Sequence, residues 1–419
     1  MKMNKLTVAI LIAMLLGIVT GQGYRLFAPT QAATFASDIT LLTDIFLRLI
    51  KMIIAPLVFT TLVVGIAKMG DTRTVGRIGA KTLGWFMLAS LMSLTLGLVM
   101  VHLMQPGVGL SLSLPDDGAS SGVAATAISL KDFVTHAIPK SVVEAMATNE
   151  ILQIVVFSLF FGLAAAALGD AAKPVVMLMA SAAEIMLKVT GYVMNFAPFA
   201  VFGAIAAMVA KEGLGILATY GTFMAQFYLA LACLWLLLIA MGSLFIRRRI
   251  LTLLAMIREP ILLAFSTASS EAAYPKTLDR LEKFGCDKRI ASFVLPMGYS
   301  FNLDGSMMYC TFAVMFIAQA YGIELSMAQQ ITMLLLLMVT SKGMAGVPRA
   351  SLVVIAATLN QFQIPEAGIL LLLGIDHFLD MGRSATNVLG NAIAASVVAK
   401  TEDSLGETAP LGETDLAKV

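Results

Sequence analysis

The chain has 419 residues, 59% of them hydrophobic and 13% charged, with a formal net charge of +2. A soluble domain carries about 25% charged residues, so this composition belongs in lipid, and so weak a positive balance excludes a nucleic-acid partner. Cys233, Cys286 and Cys310 have neither disulfide-framework nor metal-ligand spacing, and Cys233 and Cys310 read as packing residues in apolar stretches.

Lys2 and Lys5 precede an apolar run from Leu6 to about Gly23. A signal-peptide core has about 7–15 residues; this run matches one membrane crossing. It is read as a first transmembrane helix with a cytoplasmic start, although Gln31-Ala32-Ala33 faintly resembles a cleavage site. Further spanning segments are predicted at 39–67, 80–104, 150–169, 174–210 and 215–246, with Pro56 and Pro198 as kink sites. The Pro-, Gly- and Ser-rich stretch from 105 to 149 reads as an exposed loop. Three basic clusters (Lys68, Arg73, Arg77 and Lys81; Arg247–Arg249; Lys276, Arg280, Lys283, Lys288 and Arg289) are assigned to the cytoplasmic side. Residues after Thr401 read as a disordered cytoplasmic tail.

Beyond residue 250 the pattern changes. Apolar segments at 250–265, 290–301, 307–320, 331–340, 351–359 and 368–379 are each too short to span alone. They are interrupted by "STASSEAAYP", "FNLDGS" and "SKGMAGVPRAS". Such breaks at membrane depth must be buried in protein or line a wet cavity, because freed backbone groups go unpaired in lipid. Two hairpin-like interruptions, ending at Pro275 and Pro348, suggest a degenerate internal repeat and point to a binding site.

In "GIDHFLDMGRSATNVLGN", Asp376, Asp380, Arg383, Ser384, Asn387 and Asn391 recur every three or four residues, on one helical face. A charge at the centre of a membrane helix costs about 2.5–3.5 kcal/mol on the insertion scale, so a stripe of them implies pairing or hydration. An Arg fork suits a carboxylate, an Asp an ammonium, and amides and hydroxyls orientation. Asn302 and Asp304, with Gly305 allowing the helix to unwind, suit a cation site of hard oxygen ligands. Glu271 reads either as a hydrated loop carboxylate or as a proton carrier. His377 has no evident nucleophile beside it, which argues against an intramembrane enzyme.

With these motifs, "STASSE", "GYSFNLDGS", "TSKGMAGVP" and "LDMGRSATNVLGNA", the chain resembles the dicarboxylate/amino acid:cation symporter family, most of all its bacterial proton–glutamate members. The resemblance runs from the start to about Glu402 and is densest over 264–402. It implies an all-α membrane protein of eight transmembrane helices and two re-entrant hairpins with inverted repeats, a homotrimer in the bacterial inner membrane with both termini cytoplasmic. Its implied division is scaffold helices at 1–79, a third, transport-domain helix at 80–104, a loop and scaffold helices at 105–211, a transport domain at 212–402 that moves as an elevator, and a tail at 403–419.

By the same resemblance, substrate is bound by Ser269 and Ser270 of the first hairpin, by Ser306 of the unwound seventh helix, by the backbone around Gly346 and Val347 of the second hairpin, and by Asp380, Arg383, Ser384 and Asn387 of the last helix. Glu271, Asn302, Asp304, Asp376 and Asn391 would serve cation or proton coupling, with a residual sodium site near Gly298, Ser300, Asn302 and Ser341. Asp380 favours glutamate or aspartate over a four-carbon dicarboxylate, since dicarboxylate carriers resemble this chain with a Ser there. Departures from sodium-coupled members fall at Phe86, Ala89, Lys342 and Asn391, and point to protons as coupling ion; Cys310 closes the proton route of animal members. Arg349 is a departure without an assigned role. No cofactor is implied. The rivals are a dicarboxylate symporter and a sodium-coupled amino acid symporter.

Overall fold

Long uncharged runs in a membrane must close their own backbone hydrogen bonds, and helices are how one segment does so alone. The computed structural model describes residues 5–69, 72–108, 138–213, 215–341, 350–373 and 375–408. Its α-helices in chain order are α1 (Lys5–Phe27), α2 (Ala32–Met69), α3 (Thr72–Met104), α4 (Val142–Ala147), α5 (Ile151–Leu168), α6 (Lys173–Met194), α7 (Ala197–Glu212) and α8 (Gly215–Ile246). There follow α9 (Arg249–Thr267), α10 (Tyr274–Phe284), α11 (Lys288–Phe301), α12 (Asp304–Ala320), α13 (Met327–Thr340), α14 (Ala350–Gln361), α15 (Leu370–Leu373) and α16 (Asp376–Thr401). Among the described residues, 7 stretches are long and apolar enough to cross a membrane.

The predicted span 174–210 is two helices, not one. A turn at Asn195–Phe196 ends α6, and Pro198 sits in the first turn of α7, where its missing N–H costs nothing. Pro56, by contrast, lies inside an unbroken α2. Part of the 105–149 stretch is ordered as α4, capped by the Ser141 hydroxyl accepting from Glu144 N–H.

The three predicted breaks differ in what can be seen. The first is a hairpin tip: α9 ends at Ala268, held in the left-handed region at φ 49°, and the chain returns through a tight turn at Glu271–Ala273 into α10. The second separates α11 from α12 at Asn302 and Leu303. Gly305 does not unwind the helix as expected; it already lies in α12, and its value is close approach, since a Cβ there would sit 2.6 Å from the Arg383 carbonyl oxygen. The tip of the third, with Lys342, Gly346, Val347 and Arg349, lies outside the described residues.

Packing follows two groupings. Helix α7 lies along α1 and α2, and α2 also carries α5 and α6. Helix α16 is wrapped by α8, α9, α11 and α12, and α3 packs on α12. The two groups meet where α11 crosses α2. Nearly the whole of α12 and α16 is buried, polar residues included.

The basic clusters gather at one end of the molecule, around residues 402–408. Arg77 and Lys81 reach Glu402 at 2.7 and 2.6 Å, and Arg249 donates to the carbonyls of Phe284 and Gly406. Asp287 N–H donates to Ser404 O, and Gly406 N–H to Gly285 O. Residues 403–408, expected to be disordered, are therefore pinned against the α10–α11 turn; 409–419 lie outside the described residues. Two members of the third basic cluster are not loop charges at all. Arg280 is buried against Glu259 at 2.6 Å, and Lys276 reaches the same carboxylate at 3.2 Å, so the trio lashes the two arms of the first hairpin together.

Candidate functional site

The stripe on α16 is buried, as three- and four-residue spacing against α8, α9, α11 and α12 requires. Arg383 is wholly inaccessible, and its Nη2 meets Asp376 Oδ1 at 3.1 Å and Asp380 Oδ1 at 2.9 Å. The guanidinium lies 4.0 Å over the ring of Tyr309 from α12, whose hydroxyl donates to Asp376 Oδ1 at 3.1 Å. A cation stacked on an aromatic face and held by two acids is fixed in place without being fully spent. Its Nε and Nη1 are buried and have no hydrogen-bond acceptor among the described residues. A buried unsatisfied donor is costly, so these two positions have capacity for an acceptor.

One and two turns further on, Asn387 faces the break between α11 and α12. Its Nδ2 donates to the Ser306 hydroxyl at 3.2 Å, and its Oδ1 accepts from the backbone N–H groups of Gly305 at 2.9 Å and Ser306 at 3.4 Å. These are the first-turn N–H groups of α12, which its own helix leaves without partners. Deeper along α16, Asn302 Nδ2 bridges Asp304 Oδ2 at 2.9 Å and Asn391 Oδ1 at 3.1 Å. Ser93 of α3 donates to the other Asp304 oxygen at 3.3 Å. Gly390 makes this approach possible, because a Cβ there would overlap the Asp304 carboxylate.

The structure thus joins Asp376, Asp380 and Arg383 in one cluster, Ser306 and Asn387 in a second, and Asn302, Asp304 and Asn391 in a third, in order along α16. Ser269, Ser270 and Ser384 are buried, and Glu271 is half-buried at the hairpin turn. At the hairpin turn Ser269 Oγ accepts from Ala272 N–H at 3.3 Å. Near the second break, Gly298 O accepts from Asn302 N–H at 2.8 Å, Ser300 is buried, and Ser341 Oγ and Asn302 Oδ1 are buried without hydrogen-bond donors among the described residues.

Tyr309, Ser93 and Gly390 are site residues that the sequence reading missed. Tyr309 stands one turn after Asp304 and Gly305 in an otherwise apolar helix, a visible signal; Ser93 carries none, since it comes from a helix over 200 residues away in sequence.

A model of the sodium:dicarboxylate symporter family matches residues 6–401. The chain belongs to this family. It is 41% identical over 404 residues, 95% of this chain and 94% of the other, to a proton/sodium-glutamate symport protein of Bacillus caldotenax. It is 40% identical to a C4-dicarboxylate transport protein of Laribacter hongkongensis, over 94% of this chain and 89% of that one. A proton/glutamate-aspartate symporter of Bacillus subtilis is 39% identical over 94% of both chains. Members are symporters, so the chain is a membrane transporter and no enzyme.

Proposed function

We propose that this symporter imports L-glutamate or L-aspartate together with protons. The observation that carries the reading is Asp380 beside a buried Arg383 whose Nε and Nη1 are unspent. A substrate carboxylate supplies the acceptors that Arg383 lacks and draws the guanidinium off Asp380, which is then free to accept from the substrate ammonium. A four-carbon dicarboxylate has no ammonium, and would bring a second carboxylate against Asp380. Ser306, Ser384 and Asn387 orient the ligand, with Ser269, Ser270, Gly346 and Val347 of the hairpin tips closing over it.

Charge balance supports cation coupling. With Asp304, Asp376 and Asp380 ionised, Arg383 leaves this buried cluster at a formal −2, and the substrate adds −1. Like charges close together at low dielectric are strongly unfavourable, so cations must accompany the substrate. Protons are favoured by Asn391, a neutral amide that brings no negative charge to a cation and already spends one oxygen lone pair on Asn302. Glu271 and Asp304 are the candidate carriers, with Asp376 as a further coupling carboxylate. A residual sodium site would draw on Gly298, Ser300, Asn302 and Ser341.

The protein works as an elevator within a homotrimer in a plasma membrane. The helices around α16, with α3 and both hairpins, form the moving part; α1, α2 and α5–α7 form the scaffold. The basic end and both termini face the cytoplasm, in keeping with the charge rule for membrane loops.

The rival is C4-dicarboxylate transport, which has support of its own from relatives of that description at about the same identity. Uptake into proteoliposomes decides, with sodium and pH varied independently and labelled aspartate, glutamate and succinate compared. Amino-acid uptake driven by a pH gradient without sodium is expected, and Asp380→Ser should shift preference toward succinate. Succinate preferred by the unaltered protein, or strict sodium dependence, overturns the substrate or the coupling assignment respectively.

A further inference from the structure

We propose that the groove between α8 and α9 is a phospholipid site, taking one acyl chain along its length and the anionic headgroup on Arg258. The groove is a cavity of about 700 Å³, walled by Trp235 and Ile239 of α8 and by Leu254 and Phe265 of α9, with Gly382 and Ala385 of α16 as its floor. The small floor residues make it deep. From Leu254 to Phe265 the α9 wall runs eleven residues, about 16 Å at the helical rise of about 1.5 Å per residue. That is one leaflet's share of a hydrocarbon core about 30 Å thick, the length of a single chain.

The other hydrogen-bonding side chains in the wall are already spent within the protein. Tyr228 Oη donates to Phe378 O at 2.6 Å, Trp235 Nε1 to Thr386 Oγ1 at 2.7 Å, and Thr386 Oγ1 to Gly382 O at 2.8 Å. Arg258 lines the same groove half-buried and has no hydrogen bond or ion pair among the described residues. Its neighbour Glu259 is turned away and held by Lys276 and Arg280. Side chains on a helix lean toward its N-terminus, so Arg258 leans toward the end of α9 that carries the exposed Arg247 and Arg248. A long side chain reaching from hydrocarbon depth toward headgroup level is how arginine is accommodated in a bilayer. An apolar trough with one unneutralised guanidinium aimed at its headgroup end fits an acidic phospholipid and not a soluble anion, which would forfeit its hydration for an apolar wall.

The chain has 2 tryptophans, and the other, Trp85, is buried against Phe245 away from the groove. Trp235 is therefore a local reporter in a Trp85→Phe protein placed in nanodiscs. Phosphatidylglycerol brominated on its acyl chains should quench Trp235 at least twofold more than equally brominated phosphatidylcholine at the same mole fraction. Arg258→Gln should erase that difference, Arg258→Lys should keep most of it, and Ala385→Phe should weaken quenching by both lipids. The contrast between the two lipids in the Arg258 protein needs no further variant to fold, and equal quenching overturns the proposal. Selective quenching by brominated stearate with none by phosphatidylglycerol also overturns it, in favour of a fatty-acid site. The readout is independent of transport.

Discussion

Two buried ionic trios in this molecule differ in where their members come from. In the first hairpin, Glu259 is shared by Arg280 at 2.6 Å and Lys276 at 3.2 Å, cations supplied by the opposite arm. On α16, Arg383 is shared by Asp376 and Asp380, both from its own helix. The hairpin trio spends its attraction joining two segments, so it is a structural tie. The α16 trio draws its ion pairs from one helix and meets α12 only through Tyr309, and its guanidinium keeps two donors in reserve against one on Arg280. Both leave a buried guanidinium partly unspent, Nε on Arg280 and Nε with Nη1 on Arg383, so what separates them is the source of the partners: the opposite arm of a hairpin in one, the same helix in the other.

Arg383→Gln is the sharpest break of that comparison. Losing a buried charge partner costs about 3 kcal/mol, roughly 100-fold in affinity, and labelled-aspartate uptake should fall at least that far. Glu259→Gln tests the other trio. It leaves Arg280 without a carboxylate, at a cost of about 3 kcal/mol, which should lower the thermal unfolding midpoint in detergent. The ratio of aspartate to succinate uptake should stay as it was; a changed ratio would mean that the tie is part of the site.

Tyr309→Phe keeps the ring under Arg383 and removes the hydrogen bond to Asp376. One such bond is worth about 1 kcal/mol, near fivefold, read as weaker aspartate binding in a competition assay. The smallest effect is expected at the basic end. Hydrogen bonds from Arg77, with desolvation opposing and Lys81 assisting, hold the Glu402 carboxyl below the usual range. The unfolded chain takes up that proton more readily, so the latch contributes fully above about pH 4.3 and is lost as pH falls through the lowered value. Protection factors for amide exchange at 402–408, corrected for the intrinsic pH dependence, should fall on acidification over that window, and in Glu402→Gln at neutral pH. Since Arg77 and Lys81 are partly exposed, salt should weaken the latch as well.

Much of the site was legible because membrane burial makes charge conspicuous. Asp376, Asp380 and Arg383 stand out in an apolar helix, and their steps of four and three residues put them on one face without any coordinates. The break at Asn302 was equally plain, since short apolar segments cannot span. Lys276 and Arg280 misled, because a loop charge and a charge paired with Glu259 look alike in one dimension. The tail at 403–408 misled for a related reason: polar composition suggested disorder, while its order comes from backbone hydrogen bonds to Gly285 and Asp287.

From the amino-acid sequence alone follow the membrane class, the helical fold class, the broken segments and the polar face of α16, all properties of local composition and period. Tertiary structure alone decided which donors remain unspent, that Tyr309 lies under Arg383, and that Ser93 reaches Asp304 from another helix. Those are distances between segments far apart in the chain, and no local pattern encodes a distance that packing sets.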